Sequence, residues 1–417
     1  MKRSIALLLT FCLLFLLQIP VSAEGQTEEV TLMENEWYDS MLQNAQVRLG
    51  NNTRLKDVIA RARRGEPVTI AVIGGSITEG AGAANYKECW AMRVLSAFRA
   101  EYGAGDGTHI GLVNAGVGGT PSTFGWLRYE RDILSRVKDP DGLPDLVIIE
   151  YAVNDGGEPT VHGCYESMVR SVLSAENAPA VMLLFSVFPT GYSLQNDFIP
   201  IGNAYDLTMV SMKNSAYPYV GDKWTEKEFF FDQYHPTSLG HQVMADCVMA
   251  AIRAAAAQET PEKDIDVASV DPVYHAVYTD ITRIFASGDN SALSLNAGGF
   301  DQDDRNAYTN QPVGRVCGPN FAHTASSGNE PLTFTGTFAR MLISFRTVTS
   351  KDFGAAEVYV DGKKVSTLRA VKDGAWGQSD TALVYTSKEA EEHTVEIRMA
   401  EGSEDKCFTV TCIGIAR

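Results

Sequence analysis

Residues 68–80 read VTIAVIGGSITEG. The first six, Val68–Ile73, are a continuous apolar and largely β-branched run, the pattern of a strand buried on both faces. Gly74 and Gly75 then turn the chain, and Ser76 follows directly. In an open α/β sheet, ligands bind at the carboxyl ends of strands, beside helix N-termini. A serine at that point reads either as an ordinary helix N-cap or as a nucleophile facing the crevice. No Lys-Ser/Thr pair follows the glycines, so this is not a Walker phosphate loop.

Outward from this segment the same alternation repeats. His109–Asn114, Leu146–Ile149 and Ala180–Val187 have strand character, and Trp90–Ala100, Arg131–Val137, Tyr165–Leu173 and Leu239–Ala257 carry helical spacing. Short apolar strands separated by helices predict an α/β fold with a parallel sheet covered on both faces. Residues 259–272 are polar and contain proline, as a linker would. Beyond them helix signals nearly vanish. Pro331–Phe345, Ala356–Val360, Thr394–Met399 and Phe408–Ile415 have strand character, and Asp361-Gly362 marks a hairpin turn. Residues 24–258 and 273–417 are therefore expected to be two domains, the second an antiparallel β-sandwich.

The 417 residues are 45% hydrophobic with a formal net charge of -17, which fits a globular chain and disfavours general nucleic-acid binding. Lys2 and Arg3, the apolar run Ile5–Leu17 and the small-residue sequence Val21-Ser22-Ala23 have the three parts of a secretory signal peptide over residues 1–23. Its removal takes away two cations and no acid, leaving -19. The run is shorter than the roughly 20 residues needed to span a bilayer, so the expectation is a secreted protein without a membrane anchor. The remaining cysteines are scattered and show no metal-site spacing. Cys407 and Cys412 fall on opposite faces of one strand-like run, so they are not expected to pair with each other, whereas export permits a disulfide from Cys317 to either.

Two more strand ends carry polar elements: Ala115-Gly116-Val117-Gly118-Gly119-Thr120 and Ala152-Val153-Asn154-Asp155. Each alone reads as an ordinary turn. Together with Ser76 they offer what ester hydrolysis needs, donors aimed at a developing oxyanion: a Gly119 N–H free to approach closely and an Asn154 side-chain amide. Phe231-Asp232-Gln233-Tyr234-His235-Pro236 supplies the rest. A serine hydroxyl needs a base, itself oriented by a third group, and His235 is the histidine with an aspartate, Asp232, three residues before it in a non-helical turn. His241, in the following helix, reads as structural.

GGSIT, NAGVGGT, AVND and DQYH, in that order, resemble the blocks of the SGNH (GDSL-type) hydrolase superfamily. The resemblance implies a flavodoxin-like three-layer α/β/α domain with Ser76 as nucleophile, His235 as general base and then acid, and Asp232 orienting it. The Ser76 amide, the Gly119 amide and the Asn154 side chain would form the oxyanion hole. Gly75, Ile77 and Ala152 depart from the commonest blocks and suggest a divergent branch. Neither a metal nor an organic cofactor is implied.

The whole arrangement is similar to secreted bacterial carbohydrate acetylesterases with a carbohydrate-binding-like sandwich. That likeness implies a serine esterase removing O-acetyl groups from plant-type polysaccharides or oligosaccharides, of mannan or xylan type. Trp376, expected on a loop, offers either a sugar-stacking face or a core-packing one. Asp301, Asp303 and Asp304 read as a solvated acidic loop in preference to a Ca2+ site. The rivals are a lipase, lysophospholipase or thioesterase, which would show an extended acyl groove, and a non-catalytic glycan-binding surface protein. A peptidoglycan deacetylase falls within the favoured class.

Overall fold

The computed structural model describes residues 36–261, 263–307 and 318–417. By its contacts the chain divides between Ser40 and Met41, and both sheets belong to the unit that begins at Met41. The first sheet holds β1 (Gln46–Arg48), β2 (Val68–Gly74), β3 (Ile110–Gly116), β4 (Leu146–Glu150), β5 (Ala180–Phe185) and β6 (Thr208–Ser211). Their order is β1-β6-β5-β4-β2-β3. All neighbours are parallel except β1, an antiparallel edge strand on β6. Residues of β2, β4 and β5 are buried throughout, as the unbroken apolar runs require.

Helices α1 (Thr53–Arg64), α3 (Trp90–Tyr102) and α7 (Ser238–Ala257) pack together on one face, with the single turn α2 (Ser76–Glu79) at the end of β2. Helices α4 (Ser122–Asp132), α5 (Pro159–Leu173) and α6 (Gln195–Ala204) pack against one another on the other. The parallel strands follow the flavodoxin-like order, whose switch point lies between the first and third strands. Here those are β2 and β4, and the ends of β4, β2 and β3 lie side by side.

One helix differs from the sequence pattern. Arg131–Val137 is not an element: α4 covers Ser122–Asp132, and only a 3-10 turn, Leu134–Arg136, follows. The reason is a tertiary cap. The Ser122 N–H donates to Asp155 Oδ1 at 2.6 Å from the end of another strand, a helix start no local motif announces.

The second sheet contains β7 (Ile281–Ile284), β8 (Phe321–His323), β9 (Leu332–Val348), β10 (Ala355–Val360), β11 (Lys363–Arg369), β12 (Trp376–Met399) and β13 (Phe408–Ala416). It is wholly antiparallel, in the order β11-β10-β12-β9-β13-β7 with β8 on β13. β12 runs 24 residues, most of which carry no apolar alternation, and its register against β9 shifts at three places. β9 and β12 stay paired on both sides of the shift between Thr386 and Glu391, but the outer neighbour changes: beyond it β12 also pairs with β10, and β9 from Arg340 onward also pairs with β13. The two halves close on one core that includes Phe334, Phe338, Ile343, Val358, Val395 and Phe408. Asp361 and Gly362 both have positive φ, 51° and 74°, the geometry of a type I′ hairpin.

The helix face formed by α4 and α5 shares its core with the second sheet: Leu127, Tyr165, Tyr278, Ile281, Leu342 and Cys412 belong to one buried cluster. Trp126 Nε1 donates to Tyr278 O at 2.7 Å, and the Arg283 guanidinium lies 4.1 Å from the Trp126 ring. Cys407 and Cys412 are free thiols, while Cys317 lies outside the described residues, as do residues 1–23. No helix among the described residues is long and apolar enough to cross a membrane.

Candidate active site

Three adjacent strand ends and one loop converge on a cleft of about 760 Å³. Ser76 is the first residue of α2, after β2, so its N–H is one of the orphan donors of a helix start. Gly119 follows β3, and Asn154 follows β4, where its N–H donates to Tyr151 O at 3.0 Å. A side chain at Gly75 would have its Cβ 2.1 Å from Asn154 Oδ1. The Asn154 amide lies directly over the turn, so a side chain at Gly75 would displace it.

The fourth element is the loop before α7. The Phe231 N–H donates to His235 O at 2.8 Å, closing the turn, and Asp232 Oδ1 accepts the N–H groups of Tyr234 and His235 at 2.8 and 2.9 Å. The His235 ring lies with Nδ1 2.9 Å from Asp232 Oδ2 and Nε2 2.9 Å from Ser76 Oγ. Because the Asp232 carboxylate can only accept, Nδ1 carries the proton and Nε2 is left to accept the serine hydroxyl. Desolvation would raise the Asp232 carboxyl, but the hydrogen bonds from His235 and the two amides outweigh it and hold it below its ordinary range. Such an arrangement can deprotonate a serine attacking an ester.

Among the described residues the Gly119 N–H has no acceptor, whereas the Gly118 N–H is engaged by Glu79 Oε2 at 2.7 Å. Gly119 has φ +66°, and a Cβ there would lie 2.6 Å from Trp376 Cζ2. Two demands, a left-handed backbone and a ring pressed on its Cα, make this position glycine.

Trp376 differs from its expected place. It opens β12 instead of lying in a loop, and the residue is 64% exposed with its ring over Gly118 and Gly119. The second sheet thereby forms one wall of the cleft. Other lining residues are aromatic: Phe188, which stacks on Tyr192 at 5.9 Å, meets Tyr234 edge-on at 5.4 Å. These residues and Glu79 were not singled out from the sequence. The available signals were the FPTGY turn after β5 and the one-turn spacing of Glu79 from Ser76.

The remaining candidates lie elsewhere. His241 is buried on α7, with Nδ1 accepting the Trp90 N–H and Nε2 donating to Ala81 O, and burial pushes it down to about 4. Asp304 is not a solvated acid. Its Oδ2 meets Arg346 Nη1 at 2.7 Å and accepts the Thr409 hydroxyl at 3.0 Å. The described residues hold no cluster of three or more His, Cys, Asp or Glu placed to bind a metal ion.

Residues 72–243 match the family model of GDSL-like lipase/acylhydrolases. No curated protein matches the chain. Among solved structures, a two-domain esterase active on acetylated mannans superposes with a TM-score of 0.78 at 27% identity, over 90% of this chain and 98% of that one. A structure of such an esterase co-crystallised with mannopentaose gives 0.77 at 27% identity, over 90% and 97%. The strand order, the serine turn at the switch point and these matches make residues 72–243 similar to the GDSL-like lipase/acylhydrolases and the chain an ester hydrolase.

Proposed function

We propose that this protein is a secreted carbohydrate esterase that removes O-acetyl groups from plant-type polysaccharides or oligosaccharides, with acetylated mannan favoured over xylan. The observation that carries the reading is the junction of the two sheets at the cleft. An exposed tryptophan from the second sheet, Trp376, lies over Gly118 and Gly119, in the same cleft as Ser76, whose Oγ is 2.9 Å from His235 Nε2. Similarity over nine-tenths of the chain to an esterase active on acetylated mannans supports it, and the basic head, apolar run and small-residue site of residues 1–23 support export.

In the proposed mechanism His235 Nε2 takes the proton as Ser76 Oγ attacks the acetyl carbonyl. Asp232 keeps the ring oriented and stabilises the imidazolium. The oxyanion is met by the Ser76 and Gly119 amides and by the Asn154 side chain. The tetrahedral adduct collapses, and His235 returns the proton to the departing sugar oxygen. Water, deprotonated by the same nitrogen, then attacks the acetyl-enzyme and releases acetate and free Ser76. Trp376 would stack on the apolar face of a sugar ring.

A series of 4-nitrophenyl esters compared with acetylated mannan and xylan separates this reading from its rivals. Rates highest on the acetyl ester and acetate release from mannan are expected. Rates that climb with acyl length, with acetylated glycans untouched, would make the protein a lipase or thioesterase. Glycan binding with no hydrolysis of either would make it a binding protein.

A further inference from the structure

The pairing of Glu79 with Gly118 has no place in the mechanism above. Glu79 closes the same helical turn that Ser76 opens, its own N–H donating to Gly75 O at 3.0 Å. From there its side chain crosses to the end of the neighbouring strand and accepts the Gly118 N–H at 2.7 Å. Both residues line the cleft with Ser76. The segment it reaches, Gly118-Gly119, is the most permissive dipeptide the chain can contain, and nothing else among the described residues holds the Gly118 amide.

We propose that Glu79 is a positioning residue of the oxyanion hole: by holding the Gly118 N–H it fixes the glycine loop so that the next N–H, that of Gly119, faces the oxygen developing on the Ser76 adduct. The inference rests on the reading of Ser76 as nucleophile and Gly119 as oxyanion donor. It also explains why Gly119 and not Gly118 serves, since one amide is committed to the anchor and the other has no acceptor among the described residues. The carboxyl is retained at a cost. Burial pushes it up to about 7, and the Gly118 amide and Arg128 only partly offset this. A glutamine could fill the same space and accept the same hydrogen bond, so what the position requires is an oxygen at that reach and not its charge.

The test uses Glu79→Gln, Glu79→Asp and Glu79→Ala in the full chain, with Ser76→Ala beside them. Each is assayed on 4-nitrophenyl acetate, which carries no sugar, and on acetylated manno-oligosaccharides. Removing one oxyanion donor outright costs roughly 10²–10³-fold in kcat. Loosening the loop is expected to cost about 10–100-fold in kcat for Ala and Asp on both substrates, with KM within about threefold. Asp keeps the charge but withdraws the oxygen by roughly 1.5 Å. Gln is expected to stay within about threefold of wild type. Fluorophosphonate labelling of Ser76, which expels fluoride and leaves a tetrahedral phosphonyl adduct with its oxygen in the oxyanion hole, should slow in parallel.

Wild-type kcat in Asp and Ala would overturn the proposal. So would an active Asp with an inactive Gln, which would mean that charge is what matters. A rise in KM confined to the oligosaccharides would overturn it too, because Glu79 would then be touching sugar. Should Ala fail to fold, the Asp and Gln pair still decides. Full activity in Ser76→Ala would instead remove the underlying assignment of the nucleophile, whatever the Glu79 variants did.

Discussion

At the scale of single residues, the cleft is built from close approaches. Gly75 leaves room for the Asn154 amide, and Gly119 leaves room for the Trp376 ring. Replacing Trp376 with alanine removes a wall without touching the serine, histidine or aspartate. Losing an aromatic contact worth about 1–2 kcal/mol is expected to raise KM on acetylated manno-oligosaccharides roughly tenfold, with 4-nitrophenyl acetate hydrolysis unchanged; steady-state kinetics on the two substrates check it. The parts of the cleft legible in the sequence are those carried by short-range spacing. Asp232 and His235 share one turn, and Ser76 follows a strand too apolar to mistake. Glu79 and the wall formed by Trp376 were not legible, because their partners, Gly118 and Gly119, stand on other elements and leave no periodic trace. Trp376 read as a loop residue for the same reason: it stands in Gly374-Ala375-Trp376-Gly377, between glycines, and only pairing with Val348 makes it strand.

At the scale of elements, the segment between the two sheets is bound to helix α5 along one face. The Glu166 carboxylate, fully buried, accepts the N–H groups of Val273 and Tyr274 at 2.7 and 2.8 Å. Ser167 Oγ accepts the Tyr278 N–H at 3.2 Å, and Arg170 Nη1 donates to Val270 O at 2.8 Å. Residues 166, 167 and 170 fall on one helical stripe, so residues 270–278, from the end of the expected linker onward, lie along the helix as a strap. Composition marked residues 259–272 as polar and proline-containing but could not show that the amides just after them are satisfied by a helix behind them. Glu166→Ala leaves two amides without their acceptor, at roughly 1–3 kcal/mol each. The expected outcome is a urea midpoint lowered by about 3 kcal/mol of stability, with Glu166→Gln losing less because its amide oxygen still accepts. Equal stability of all three proteins would show that the strap contributes nothing.

At the scale of the whole molecule, the two halves read from the sequence share a continuous core, and the acids beneath the cleft tie its stability to pH. Asp155 is fully buried next to Asn154. Burial pushes its carboxyl up to about 8, with the Ser122 hydrogen bonds pulling back. An unfolded aspartate titrates near its ordinary 3.8, so the folded state holds this proton more tightly. The stability due to the protonated form is present in full below that value and is lost as pH rises through about 8. Asp155→Asn keeps the oxygen that caps α4 and removes the titration. Its stability relative to wild type is expected to improve steadily from pH 5 to pH 8, as read by urea denaturation at each pH. A constant difference would mean that Asp155 does not carry the proton. The net charge of -17, by contrast, disfavoured general nucleic-acid binding without pointing to an activity.

The central claim, that Ser76 acts with His235 in removing acetyl groups from a glycan, is tested most directly by following acetate release from acetylated mannan by proton NMR, with wild type and Ser76→Ala at equal concentration. The account predicts acetate from the wild type and a rate at least about 10³-fold lower from the variant. Equal release by both, or none from the wild type, would contradict it.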